Sequence, residues 1–138
     1  MRASSTPAAY GTRVPAKPGS TGSAALTVTD ADTAIALRSG SVPVLATPRV
    51  VALCEEATVA ALVGALADGE TSVGMRVQID HVQPTAVGAR VTATATLEKV
   101  EGRRLTFTVN AHDERGLIAA GRVTRVVVET ARFLDKAR

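Results

Sequence analysis

Period-two alternation of apolar and polar residues dominates the second half of the chain. Val73, Met75, Val77, Ile79 and His81 alternate with Gly74, Arg76, Gln78 and Asp80. Val91, Ala93, Ala95 and Leu97 alternate with Thr92, Thr94, Thr96 and Glu98, and Leu105, Phe107, Val109 and Ala111 with Thr106, Thr108, Asn110 and His112. Side chains of a strand point alternately to two faces, so each run predicts a strand with one buried face. Glu101-Gly102 and Glu114-Arg115-Gly116 supply the turns between them. Leu117 to Val128 is more continuously apolar, as expected of a central or interface strand.

Ahead of the strands the pattern changes to that of a helix. Thr47 followed by Pro48 reads as an N-cap and a first helical residue, where no amide donor is needed. The helix is expected from Pro48 to about Ala67, roughly 30 Å at 1.5 Å per residue, with Asp68-Gly69 as its stop. Val50, Val51, Leu53, Cys54, Ala57, Val59, Leu62, Val63 and Leu66 make it apolar on nearly every side, so the strands must wrap it. Ala24 to Val28 predicts a short strand, Thr33 to Leu37 a second extended piece, and Arg38 to Pro43 a loop. Thr130 to Arg138 is expected to end in a short helical turn. Residues 1–23, rich in Ala, Ser, Thr, Pro and Gly without periodicity, read as a flexible N-terminal extension, and residues 24–138 as one folded domain. The class is α+β: a long central helix wrapped by a curved antiparallel β-sheet.

Composition narrows the function. Aromatic residues make up only 2% of the 138 residues, and Tyr10, Phe107 and Phe133 are the whole set, so the core must be aliphatic. The net charge of +3 lacks the interleaved aromatics of a nucleic-acid surface, and no nucleic-acid partner is expected. Cys54 is the single cysteine, which precludes an internal disulfide. The first 25 residues hold no signal-type apolar segment. Val50 to Leu66 is broken by Glu55 and Glu56 and falls short of the ~20 residues that span a bilayer. No membrane association and a cytoplasmic location are expected. No Cys/His spacing suggests a metal and no glycine pattern a nucleotide loop, so neither metal nor cofactor is expected.

Four polar positions stand out. Glu55 and Glu56 interrupt an apolar helix, and being about 100° apart they either share a solvated stripe or send one carboxylate somewhere enclosed. Thr47 lies on the same i, i+4 ridge as Glu55, with Cα atoms about 12 Å apart, so substrate, water, another strand or another subunit must lie between them. Taken alone, Thr47 is a helix cap. His81 lies in the apolar phase of its strand and should face the helix, either as a satisfied core residue or as a catalyst. His112 lies in the opposite phase and should face solvent.

The order Ala46-Thr47, Glu55, Gly74, His81, followed by Val100-Glu101-Gly102-Arg103-Arg104-Leu105 and Ala111-His112-Asp113, resembles the fluoroacetyl-CoA thioesterase family of hotdog proteins over about residues 45–128. The resemblance implies a hotdog fold and an acyl-CoA thioesterase with Thr47, Glu55 and His81 as the catalytic set. It implies that the backbone of Gly74 positions substrate or water. It further implies a homodimer, with a tetramer as the larger alternative, whose sites lie between subunits. The specialised family enzyme carries phenylalanines just before its threonine. Gly40-Ser41-Val42-Pro43-Val44-Leu45 has no aromatic, so a short- or medium-chain acyl-CoA is the expected substrate. Arg76, Arg90, Lys99, Arg103 and Arg104 are cations available for the coenzyme A phosphates, with a solvated turn as the alternative for the last two. The competing readings are a hotdog enoyl-CoA hydratase or dehydratase and a non-catalytic acyl-CoA binding module.

Overall fold

The computed structural model of the protein describes residues 15–138. Its elements are β1 (Thr21–Thr27), a single 3-10 turn (Asp30–Asp32), α1 (Thr47–Ala61), β2 (Glu70–His81), β3 (Arg90–Glu101), β4 (Arg104–Asp113), β5 (Gly116–Glu129) and α2 (Thr130–Lys136). The five strands form one antiparallel sheet in the order β1-β3-β4-β5-β2, leaving β1 and β2 at its edges. Helix α1 packs on the concave face, which is the hotdog arrangement.

The alternation of β3 and β4 translates directly into packing. Val91, Ala93, Ala95 and Leu97 of β3 and Leu105, Phe107, Val109 and Ala111 of β4 are buried against Val50, Leu53, Cys54 and Ala57 of α1. Alanine at the middle of β3 lets the helix come close to the sheet. β1 comes closer still: a Cβ built on Gly22 would lie 2.2 Å from the Ala61 nitrogen and 2.5 Å from the Ala57 oxygen. Only a residue without a side chain fits there.

Several boundaries differ from expectation. α1 ends at Ala61 instead of near Ala67: the amides of Leu62 and Val63 turn to the carbonyls of Val59 and Ala60, and Gly64 takes φ +79°. The apolar sequence continues past Ala61, but the helical hydrogen bonds do not. α1 is also wrapped on one side only, leaving Val59 48% exposed in the single chain, and Val63, just past its end, is 83% exposed. Thr47 is the first helical residue, with Ala46 as N-cap accepting from Arg49 and Val50. Of the piece expected to be extended, only Thr33 pairs, with Leu45, and the chain then turns. β1 takes in residues 21–23, which the sequence pattern put in the extension; residues 1–14 lie outside the described part. Among the described residues no helix is long and apolar enough to cross a membrane.

Substituting Gly22→Val should force β1 off the helix backbone. Over-packing of this kind costs typically 1–3 kcal/mol, and with backbone as the obstacle we expect a loss near about 3 kcal/mol. Urea denaturation checks it, and an unchanged midpoint would mean that residues 21–23 are not part of the packed domain.

Candidate active site

The expected site residues fall into two clusters. At the start of α1 the Thr47 hydroxyl lies 2.8 Å from Nδ1 of His81, the last residue of β2. Because Ala46 takes the cap position, the Thr47 side chain makes no cap bond and is free for the imidazole. In the tautomer protonated on Nε2, Nδ1 accepts the hydroxyl proton of Thr47. Burial lowers the His81 pKa from its ordinary 6.5, with a backbone bond at Gln83 acting the other way. A neutral imidazole against a hydroxyl is the arrangement a general base needs. Its Nε2 is buried and has no hydrogen-bond partner among the described residues.

The second cluster sits two turns further along α1. Glu55 accepts from Nη1 of Arg125 at 3.2 Å. Arg125 is buried, and two more of its donors are occupied: Nε bonds the Ser72 hydroxyl at 2.9 Å and Nη2 the Ser72 carbonyl at 3.0 Å. Burial pulls the guanidinium pKa down and the Glu55 carboxylate beside it pulls back; an arginine stays charged through such a shift. Gly74 pairs with Arg125 across the β2–β5 ladder, and a Cβ on it would lie 2.5 Å from Oε2 of Glu55. The carboxylate therefore rests on bare backbone. Glu56 points elsewhere and pairs with Arg49 at 3.0 Å.

A β-bulge creates this geometry. The β2–β5 register shifts between Gly74 and Arg76, so Met75 is the extra residue. Val77, Ile79 and His81 face α1 as the alternation predicts. Ahead of the bulge the phase reverses and Ser72 and Gly74 face the helix, where simple alternation would put Val73. Bulges re-aim side chains in this way and are common near sites.

The two clusters do not meet within one chain. No hydrogen bond joins Glu55 to Thr47 or His81 among the described residues. The six register steps on β5 from Arg125 to Ala119, the partners of Gly74 and His81, separate the clusters by on the order of 20 Å along the strand. Arg125 is the site residue the sequence reading missed. Its signal was an arginine in the same phase as the inward Val123 and Val127, masked by the apolar run around it. No group of three or more His, Cys, Asp or Glu residues able to hold a metal occurs among the described residues.

Comparison with known proteins bears on this arrangement. The family model for the fluoroacetyl-CoA-specific thioesterase matches residues 28–131. The fluoroacetyl-CoA thioesterase of Streptantibioticus cattleyicolor is 41% identical over 95 residues, covering 69% of this chain and 68% of that protein. A solved structure of the fluoroacetyl-CoA thioesterase superposes with a TM-score of 0.84 at 34% identity, covering 88% of this chain and 95% of the other. A thioesterase superfamily member from Thermus thermophilus gives a TM-score of 0.83 at 30% identity over 90% and 92% of the two chains.

The half-buried imidazole sets a pH dependence. Because its folded pKa lies below the ordinary 6.5, the unfolded chain binds this proton more readily than the folded one. Stability from this group is intact above about pH 6.5 and is lost as pH falls toward the lower folded value. The His81 ring resonances should titrate below 6.5 by NMR. The drop in urea midpoint between pH 7.5 and pH 5 should be smaller in His81→Gln; an equal drop in both proteins would contradict the assignment.

Proposed function

The chain belongs to the fluoroacetyl-CoA-specific thioesterase family, whose members are thioester hydrolases, and on that premise we propose that it hydrolyses a short- or medium-chain acyl-CoA to free acid and coenzyme A. Thr47, Glu55 and His81 form the catalytic set. The observation that carries this reading is the 2.8 Å contact of a hydroxyl with a half-buried imidazole, whose pKa burial lowers, at a helix N-terminus. Thioester hydrolysis needs a nucleophile, a base to take its proton, and positive ends to receive charge from the carbonyl oxygen. His81 Nδ1 takes a proton from the Thr47 hydroxyl, or from a water held by it, as the new C–O bond forms. The amides of the first turn of α1 favour the developing oxyanion. The C–S bond then breaks and the proton on His81 returns to the departing sulfur. Direct attack by water releases the acid at once, whereas the acyl-Thr47 ester formed by hydroxyl attack is hydrolysed by a water that His81 deprotonates in turn, restoring the Thr47 hydroxyl. The Gly74 backbone, lying beside the Glu55 carboxylate, positions substrate or water.

A homodimer supplies what one chain lacks. β2 is an edge strand whose Met75 and Val77 are 49% and 37% exposed, an open template for a second copy. Antiparallel pairing of two β2 edges centred between Val77 and Gln78 sets Gly74 of one chain opposite His81 of its partner. Glu55, which lies on Gly74, then approaches the unpartnered Nε2 of the partner's His81 and stabilises it once charged. Each dimer holds two such composite sites.

The segment just before Thr47, Gly40–Leu45, holds no aromatic residue and presents Val42 to solvent, where the specialised family enzyme has phenylalanines. That favours an aliphatic acyl chain over a fluoroacetyl group. Thiol release from acyl-CoAs running from acetyl to decanoyl, with fluoroacetyl included, tests the reading. Turnover should be highest on a short or medium aliphatic chain and fall roughly 10²-fold in His81→Ala, the scale of losing a general base. Binding of acyl-CoA without turnover by the wild type would leave a binding module as the function instead.

A further inference from the structure

The end of the sheet remote from His81 carries a cleft that the thioester chemistry leaves unused. β2 begins at Glu70, which pairs with Glu129 at the end of β5, where the chain turns into α2. A cleft of about 260 Å³ opens there between α2, the last residues of β5 and the turn after β3. Three cations line it: Arg103, Arg132 and Lys136. Arg103 is held in place by the Val127 carbonyl at 3.3 Å and Glu70 at 3.5 Å. Arg132 and Lys136 stand four apart, on one side of α2, and form no ion pair among the described residues. The one carboxylate in the lining, Glu129, accepts from the Arg132 amide as the cap of α2.

An aromatic ring completes the set. The chain has two phenylalanines; Phe107 is fully buried in the core, and Phe133 lines this cleft with 38% of its surface exposed. Arg132 and Lys136 gain no ion pair from standing beside this half-exposed ring. Together with the ring they do match a ligand with a flat π-face and several phosphates: bases stack on aromatic rings and guanidinium groups take phosphate oxygens in pairs.

We propose that this cleft binds the phosphorylated adenosine end of the CoA thioester, with Phe133 against the adenine and Arg103, Arg132 and Lys136 on the phosphates. The proposal rests on the acyl-CoA reading above and supplies the part of the substrate that the catalytic set does not touch. Arg125 immediately precedes the lining residues Val126–Glu129 on β5, so the cleft lies within about 10 Å along the strand of the Glu55–Arg125 pair. A pantetheine arm bridges such a gap.

The test compares an acyl-CoA with the same acyl group on pantetheine, which lacks the nucleotide, for wild type, Arg132→Ala/Lys136→Ala and Phe133→Ala. All three substituted residues lie outside the catalytic set, so kcat should hold while KM for acyl-CoA rises roughly tenfold in each variant, about 1.4 kcal/mol. KM for acyl-pantetheine should not move. Calorimetry with adenosine 3′,5′-bisphosphate gives a readout free of turnover: the wild type should bind it, more weakly as salt rises, and both variants should bind it less. Nucleotide binding lost in the variants without hydrolysis of either thioester would support the cleft and remove the thioesterase reading. Hydrolysis with equal KM changes on both thioesters, or none, would overturn the cleft. Pyrophosphate binding as well as the nucleotide, with Phe133→Ala silent, would also overturn it, leaving only a general anion site.

Discussion

The pairing of Glu55 with Arg125 is the constraint around which the site end of the molecule is arranged. A guanidinium buried inside the sheet costs desolvation and needs partners, and the part-exposed Glu55 carboxylate supplies one. Together they are accommodated because Ser72 takes two of the arginine's donors and Glu55 a third. The arrangement demands that α1 approach the β2–β5 ladder more closely than any side chain at position 74 would allow. It also demands that Ser72 and Gly74 face inward, which the bulge at Met75 achieves. Sequence, bulge and ion pair are one solution to one electrostatic problem.

The same geometry explains why the proposed catalytic set is divided. Thr47 and His81 meet where α1 starts and β2 ends, whereas Glu55 and Gly74 meet further along both elements. Helix and strand run side by side, so the two clusters stay apart whatever rotamers the side chains adopt. A polar nitrogen left buried without a partner at His81, and an edge strand with apolar residues open to solvent, are the two local costs of a single chain. The proposed pairing with a second copy would remove both at once.

Much of this was legible in the sequence, and the failures have physical causes. β3 and β4 could be read residue by residue because alternation there is unbroken and one face is buried. In β2 the alternation ran through Met75 on paper, but a bulge costs no residue type that marks it, so the inward face ahead of it was misread. Arg125 was hidden because its strand is apolar on both sides of it and a lone arginine reads as an outward residue. Past Ala61 the helix pattern continued in Leu62, Val63 and Leu66; the stop lies in the left-handed backbone of Gly64, which a mid-pattern glycine signals only weakly. The Thr47–His81 contact spans 34 positions and came from the family resemblance, since no local rule reaches that far.

The central claim is that an active centre is assembled from two chains, Thr47 and His81 from one and Glu55 from the other. Mixing two separately inactive variants, Glu55→Gln and His81→Ala, and re-associating them as dimers tests it directly. A mixed dimer would hold one centre with an intact Thr47, His81 and partner Glu55, and one with both defects. The account predicts that thioesterase activity reappears on mixing, approaching half the wild-type rate per mixed dimer. Mixed dimers that form and stay inactive would contradict it and place all three groups of each centre in a single chain.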